Sequence, residues 1–292
     1  MPPPVSASPA GWREGFRVKT FLIDVSICNG CYNCQIACKD EHCSNDWRPY
    51  AAPQPETGQF WCKMNEYIRG AVPKVKMHYV PVLCQHCDDA SCMGACSVEG
   101  AIYKREDGLV EIDPAKCNGC RECIEACEYG SIYYNEELSL AQKCTGCAHL
   151  LDRGWKEPRC VDACPTGALR FGEEAELDLT GYAELRPELA TAPRVHYKNI
   201  PKNFVAGTVY DPMRKEIIEG ATVVLTSLHG EELTAATNGW GDFWFEGLDA
   251  GHYSLEITAP GCQAKVISDI NAQESVSLGD LPLPRDLQER GL

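Results

Sequence analysis

The chain has 292 residues, 44% of them hydrophobic, which is enough for about two domains with their own cores. Its formal net charge of −15 excludes nucleic-acid binding through a basic surface. There is no run of 18 apolar residues and no signal peptide pattern at the N-terminus, so neither a membrane span nor export is expected. The nineteen cysteines are therefore interpreted as metal ligands in a reducing, cytoplasmic compartment.

In chain order, the first predicted elements are a flexible Pro-, Ala- and Ser-rich tail over 1–20 and a short strand over 20–25. The strand leads into CNGCYNCQIAC, which starts at Cys28. The spacing C-x2-C-x2-C-x3-C is typical of bacterial ferredoxins, in which three cysteines hold one 4Fe–4S cluster and the fourth binds the neighbouring cluster. The N-terminal region of the chain is thus predicted to carry iron–sulfur chemistry.

Four versions of this motif occur, and each begins C-x2-C and closes C-x3-C. The third, CNGCRECIEAC, packs four thiols into eleven residues, whereas zinc sites usually draw on two separated pairs. Its last two cysteines, Cys123 and Cys127, are predicted to share one face of a short helix. The sixteen motif cysteines are Cys28, Cys31, Cys34 and Cys38; Cys84, Cys87, Cys92 and Cys96; Cys117, Cys120, Cys123 and Cys127; and Cys144, Cys147, Cys160 and Cys164.

An insertion over 39–83 separates the first two motifs and is too long for a passive loop. Two strands are predicted within it, QFWCKMNEYIRG and VKMHYVPV. Its aromatic residues Trp47, Trp61 and Tyr67 would either anchor a partner or shield the clusters from water, and the sequence leaves both interpretations open. Further hairpins, one turning at Asp107-Gly108 and one in IYYNEELSLAQK, are predicted to cap the clusters with apolar side chains.

The predicted fold class is α+β, with tandem bacterial-ferredoxin-like modules holding four 4Fe–4S clusters over 21–175. A connector that wraps the surface is predicted over 176–202, where no periodicity is evident. Five alternating strands then indicate an all-β sandwich of the transthyretin or carboxypeptidase-regulatory type over 203–284, followed by a tail over 285–292. Phe243 and Phe245 should share one face of it. We expect the sandwich to be a scaffold or docking module.

Six further residues could have bound metal. Cys43, Cys62 and Cys262 lie outside every motif and are predicted to be small buried hydrophobic residues. His42, His86 and His149 lie close to motif cysteines, but sixteen thiols already complete four sets of ligands. The histidines are therefore predicted to be surface groups or hydrogen-bond donors near the clusters.

The four motifs resemble the four-cluster electron-transfer subunits of molybdopterin oxidoreductases of the DMSO reductase family. Spacing alone leaves open whether the first motif exchanges its fourth cysteine with the second or with the fourth; the resemblance implies first with fourth and second with third. The implied ligands are Cys28, Cys31, Cys34 and Cys164 for cluster 1; Cys144, Cys147, Cys160 and Cys38 for cluster 2; Cys84, Cys87, Cys92 and Cys127 for cluster 3; and Cys117, Cys120, Cys123 and Cys96 for cluster 4.

More narrowly, EDGLVEIDP, QKCTGCAHLLD, PRVHYKN and TNGWGDFWFEGL resemble the small subunit of pyrogallol–phloroglucinol transhydroxylase. This implies a heterodimer whose large subunit holds molybdenum or tungsten in a bis-pterin cofactor and acts on a phenolic or polyhydroxylated aromatic, with no substrate chemistry on this chain. The third motif, degraded in that family, is intact here, which favours a net redox reaction with an external electron carrier. The alternatives are a free-standing polyferredoxin, or the corresponding subunit of a reductase with a non-aromatic substrate.

Overall fold

The computed structural model describes residues 18–286, so most of the predicted N-terminal tail and the last six residues of the C-terminal tail lie outside the described part. The chain divides into two compact units. The first runs to Asn65 and resumes over Pro81–Asn199, whereas the second comprises Glu66–Val80 and the chain from Ile200 onwards. No helix between residues 18 and 286 is long and apolar enough to cross a membrane.

The elements up to Lys198 are short and are connected by the cysteine motifs. In chain order they are β1 (Lys19–Asp24), α1 (Asn33–His42), β2 (Cys62–Ala71), β3 (Lys74–Leu83), α2 (Ser91–Ala95), β4 (Ile102–Lys104), β5 (Val110–Ile112), α3 (Glu122–Glu125), β6 (Ile132–Asn135), β7 (Leu140–Lys143), α4 (Ala148–Leu151), α5 (Arg159–Asp162), β8 (Leu169–Glu173), β9 (Ala183–Glu184) and β10 (Val195–Lys198). Short 3-10 helices follow β1, β8 and β9.

A four-stranded sheet in the order β8-β1-β10-β9 frames the first unit. Its central strand β1 is a continuous apolar run, and Phe21, Leu22 and Ile23 are all buried, as expected for a strand covered on both faces. β8 runs antiparallel to β1 and β10 runs parallel to it. The sheet therefore joins the segment before the first motif to the segments after the fourth.

The segment over 176–202 differs from the predicted surface connector. It contributes β9 and β10 to the sheet, with Val195 and Tyr197 buried. The alternation of buried and half-buried residues in β10 spans only four positions. That is too short to be recognised as a strand without its partner β1.

The predicted hairpins are confirmed: β2 pairs with β3, β4 with β5, and β6 with β7. The last two hairpins supply a small apolar core that also buries Cys123 and packs against four other motif cysteines. Its buried members besides Cys123 are Ile102, Val110, Ile112, Ile132 and Ala141. This core gives the neighbouring thiols the apolar cover expected from the sequence.

The helix expected to carry both Cys123 and Cys127 is shorter than predicted. It ends at Glu125, so Cys127 lies two residues beyond it. The chain must turn at Gly130, which has φ +58°, before β6 begins at Ile132. In the first motif, by contrast, α1 has ten residues and does hold both Cys34 and Cys38.

The second unit holds a β-sandwich of two four-stranded sheets. One contains β11, β12, β15 and β18, and the other has the order β14-β13-β16-β17. The strands are β11 (Asn203–Asp211), β12 (Glu216–Ile217), β13 (Thr222–Ser227), β14 (Glu232–Ala236), β15 (Asp242–Leu248), β16 (His252–Thr258), β17 (Lys265–Asn271) and β18 (Val276–Pro282).

The five predicted sandwich strands correspond to β11, β13, β15, β16 and β18. Phe243 and Phe245 do share the buried face of β15, where they join the central core. Three strands, β12, β14 and β17, were not predicted. β14 and β17 lie at the edges of their sheet and are mostly exposed, so their sequences lack a regular apolar alternation.

Replacing Phe243 by alanine should destabilise the sandwich by about 3–5 kcal/mol, because the ring is 1% exposed and its removal leaves a cavity. Trp240→Ala is the matched control: its ring is 79% exposed, and we expect a change within about 0.5 kcal/mol. Denaturant unfolding of the full chain, followed by circular dichroism, measures both changes. Equal losses in the two variants would contradict this account of the core.

Candidate metal centres

Motif cysteines that are distant in sequence meet in four groups, named here sets 1 to 4. Set 1 joins the first motif to the end of the fourth. Burial raises the pKa of the Cys28 thiol, and the nearby thiols of Cys34, Cys164 and Cys31 raise it further. Helices α1 and α5, which lead to these cysteines, pack against each other. The structure thus brings Cys164 beside a motif more than a hundred residues earlier.

Set 2 is the most deeply buried group. Cys38, Cys144, Cys147 and Cys160 are all buried. Burial raises the pKa of Cys38 well above its usual value, and the other three thiols add to the rise. Four desolvated thiols this close together are stable either as neutral groups, because their thiolate forms would repel one another, or as ligands of a cation that binds thiolate.

Set 3 lines a partly open cavity, whose wall includes all four of Cys84, Cys87, Cys92 and Cys127. Burial raises the pKa of Cys87 to about 12, with Cys84, Cys92 and Cys127 contributing. Backbone N–H groups point at two of the sulfurs: His86 donates to Cys84 Sγ at 3.5 Å and Ser131 to Cys127 Sγ at 3.4 Å.

Set 4 lines a second cavity, formed in part by Cys96, Cys117, Cys120 and Cys123. The turn between its first two thiols is tightly determined. Asn118 Oδ1 accepts a hydrogen bond from the backbone of Cys120 at 3.1 Å, and a Cβ at Gly119 would lie 2.3 Å from the Ser139 carbonyl oxygen. Only glycine fits at that position, where φ is +75°.

Each of these four groups brings together cysteines from two different motifs. A 4Fe–4S cluster requires four thiolates around a shared space, and each set offers four cysteines, so the residues fit that group. Among residues 18–286, no three histidine, cysteine or carboxylate side chains lie close enough together to hold a single metal ion. The assignment of individual cysteines as ligands stays a prediction.

Three contacts establish which sets are neighbours. Cys62 hydrogen-bonds to cysteines of sets 1 and 2. The Lys143 side chain contacts Cys84 of set 3 and the backbone of Cys144 in set 2. Cys92 of set 3 is an electrostatic neighbour of Cys123 in set 4. The sets therefore follow one another in the order 1, 2, 3, 4.

Cys62 is buried, as predicted, but it is more than a small hydrophobic residue. It is 1% exposed, and its thiol hydrogen-bonds to Cys34 and Cys160 while its backbone N–H donates to Cys38. Cys43 and Cys262 are less buried than predicted, although Cys262 does pack against the sandwich core. Cys62 differs because it begins β2, where the hairpin enters the space between α1 and α5.

The three histidines are all buried, which excludes the surface alternative and leaves the prediction of hydrogen-bonding groups near the clusters. The Nε2 atom of His42 lies 3.7 Å from Cys147 Sγ, and burial followed by repulsion from His149 lowers the His42 pKa to about 3. His86 accepts a hydrogen bond from the Val110 backbone at 3.0 Å, and burial lowers its pKa. Both rings are therefore neutral near pH 7.

The aromatic residues of the insertion differ in their surroundings, which decides between the two interpretations left open by the sequence. Trp61 is buried against the His42 ring at 4.6 Å, and Trp47 stacks on His149 at 4.4 Å. These two indoles shield set 2, since His42 contacts Cys147. Tyr67, by contrast, is exposed. Shielding is thus the better interpretation for the tryptophans.

Sequence reasoning did not single out Glu111, a fully buried carboxyl group in β5. Tyr103 donates a 2.8 Å hydrogen bond to it. Burial raises its pKa to about 7 against the opposing effects of Tyr103 and Arg105. The only signal in the sequence was an acidic residue, Glu111, between the apolar residues Val110 and Ile112 of EDGLVEIDP.

The fold and the grouped thiols define a ferredoxin-type protein with a C-terminal β-sandwich. In agreement, the family described as a 4Fe-4S dicluster domain matches residues 75–174. The carboxypeptidase regulatory-like domain family matches residues 205–281, within the sandwich.

Comparison with proteins of known identity narrows the family to which this chain belongs. It is 40% identical over 276 residues to the pyrogallol hydroxytransferase small subunit of Pelobacter acidigallici, which covers 90% of this chain and 98% of that protein. It is 36% identical over 190 residues to a component of the anaerobic dimethyl sulfoxide reductase of Escherichia coli K12, covering 61% and 83% of the two proteins. It is 33% identical over 196 residues to a component of the tetrathionate reductase of Salmonella typhimurium LT2, covering 63% of this chain and 73% of that protein.

This chain therefore belongs to the iron–sulfur, electron-transfer subunits of the molybdopterin oxidoreductases of the DMSO reductase family. Within them it groups with the pyrogallol hydroxytransferase small subunit, and the resemblance found in the sequence is confirmed.

Glu111 should make stability depend on pH. Its pKa is 4.5 in an unfolded chain and about 7 here, so the native state binds the extra proton between those values. The stabilisation from the neutral buried form is complete below about pH 4.5 and is lost as the pH rises through about 7. In the unsubstituted protein this loss should lower the unfolding free energy by on the order of 3 kcal/mol between about pH 5 and about pH 8. Glu111→Gln should remove that fall.

Denaturant unfolding at the two pH values measures this difference. Glu136→Gln, at a site 76% exposed, is the control and should retain the pH dependence of the unsubstituted protein. An unchanged pH dependence in Glu111→Gln would show that this carboxyl group does not titrate as proposed.

Proposed function

We propose that this chain holds four 4Fe–4S clusters on the sixteen motif cysteines and conducts electrons to or from a molybdopterin catalytic subunit. The observation that carries the proposal is the convergence of the four motifs into sets 1 to 4, each with four thiols and each next to the following set. When bound, such clusters supply one-electron redox chemistry.

The protein's own residues bind, orient and shield. Backbone N–H groups donate to the ligand sulfurs, as Gly146 does to Cys144 Sγ at 3.3 Å and Ala141 to Cys117 Sγ at 3.5 Å. Such bonds favour the thiolate and tune the reduction potential. The hairpin core and Trp61 exclude water, which limits side reactions and raises the influence of nearby charges.

The two ends of the series of sets differ in character, and this difference supports an assignment of partners. Residues 25–38 around set 1 contain no charged side chain, and Ile27 and Ile36 there are 47% and 64% exposed. An exposed, uncharged apolar face suits a lasting subunit interface. We assign the catalytic subunit to this end.

At the other end, Cys120 is exposed and is surrounded by Lys116, Arg121, Glu122 and Glu125. Charged rims favour fast, transient association. We therefore assign the external electron carrier to the end at set 4.

We infer a heterodimer whose large subunit binds molybdenum or tungsten through bis-pterin and acts on a phenolic or polyhydroxylated aromatic compound. The support is the 40% identity to the pyrogallol hydroxytransferase small subunit over 90% of the chain, sandwich included. The intact third motif provides a route to a carrier, which a redox-neutral hydroxyl transfer does not need. A net dehydroxylation or hydroxylation is therefore the proposed reaction type.

Native purification from the source organism tests the assembly. We expect a large partner, one molybdenum or tungsten and about sixteen irons per heterodimer, from four clusters of four irons. Turnover with catechols and polyhydroxybenzenes, compared with sulfoxides and tetrathionate, then tests the substrate class. An iron-rich protein that purifies alone would instead establish a free-standing electron carrier.

Substituting Cys120 by alanine should remove a ligand of set 4 and abolish turnover coupled to an external carrier, because the last site before the carrier is lost. The iron content should fall by at most about a quarter, since sets 1 to 3 keep their ligands. Cys262→Ala, outside every set, is the control. Full carrier-linked turnover in Cys120→Ala would contradict the proposed route.

A further inference from the structure

Lys143 is a buried cation placed between two sets of ligand cysteines. It ends β7 directly before Cys144 and is 2% exposed. Its Nζ atom lies 3.4 Å from Cys84 Sγ and donates to the Cys144 carbonyl oxygen at 3.0 Å. A further hydrogen bond runs from Nζ to the Val110 carbonyl oxygen. The ammonium group is thus held in a fixed position by two strands.

No carboxylate in residues 18–286 forms an ion pair with this ammonium group; its hydrogen bonds reach sulfur and carbonyl oxygen only. The buried Glu111 carboxyl lies within electrostatic range of Lys143 but carries a raised pKa of about 7, and a buried charge that is not fully compensated costs free energy. The thiolates of an iron–sulfur cluster would supply the missing negative charge. Because Nζ contacts Cys84 Sγ itself but only the backbone of Cys144, the compensation should favour set 3 over set 2.

Lys116 provides an internal comparison, because it occupies the same place in its motif, directly before Cys117. Its side chain is 55% exposed and approaches Asp113 at 4.0 Å. Water and the carboxylate screen its charge from set 4. The position before the motif therefore does not by itself create a buried cation; the packing around Lys143 does.

We propose that Lys143 raises the reduction potential of the cluster bound by set 3 above the value that the cluster would have without this buried charge. One added electron increases the negative charge beside Nζ, and at low dielectric the fixed ammonium stabilises the reduced form more than the oxidised form. The midpoint potential of that cluster is raised as a result. This inference rests on the proposed function in requiring bound clusters at sets 2 and 3.

The test is a redox titration of the purified complex, with cluster reduction followed by electron paramagnetic resonance. Lys143→Met keeps the length of the side chain and removes the charge. We expect one cluster to shift to a lower midpoint potential, a second to shift less in the same direction, and the other two to be unchanged. Lys116→Met should leave all four potentials unchanged.

A second pair of variants covers the case in which Lys143→Met loses iron. Lys143→Arg retains the charge and Lys143→Gln removes it while keeping a hydrogen-bond donor. A lower potential in Lys143→Gln than in Lys143→Arg supports the proposal, and equal potentials in the two overturn it. The iron content of the unsubstituted complex tests the four-cluster function separately, so failure of one proposal is distinguishable from failure of the other.

Discussion

Bringing sixteen thiols together in groups of four, from partly exposed to fully buried, is the constraint on which the first unit depends. Desolvation and neighbouring thiols raise the pKa of buried cysteines such as Cys38 and Cys144, so their apolar surroundings are tolerable only if the thiols stay neutral or share a metal cofactor. The motifs contribute some apolar cover themselves, since Ile124 packs against the hairpin core and Leu150 is buried. The hairpins, the insertion and the buried histidines add cover from elsewhere in the chain.

The grouping of the thiols and the topology of the sheet support each other. β1 leads into the first motif and β8 leaves the fourth, and the two strands pair antiparallel with Phe21 opposite Phe171. That pairing closes the chain into a loop at set 1. The paired strands therefore bring Cys28 and Cys164 close together, which reduces the entropy that cofactor binding must offset.

Charge is used sparingly inside the first unit. His42 and His86 are neutral, Glu111 carries a raised pKa, and the buried ammonium of Lys143 faces sulfur. At low dielectric each of these groups influences its neighbours strongly. None of the four thiol sets lies among the described residues of the second unit. Its regular core suits a scaffold. The sandwich also distinguishes this subunit from relatives that match only about 60% of the chain.

Local sequence determined those features that depend on neighbours along the chain. The C-x2-C spacing defined each motif, with a turn glycine in three of the four, and alternation located five sandwich strands and the hairpins. Tertiary structure decided the rest: the burial of His42, the pairing of β10 with β1, and the contacts of Cys62 and Lys143. These depend on residues far away in the chain, and a single lysine or cysteine carries no local sign of what will fold against it.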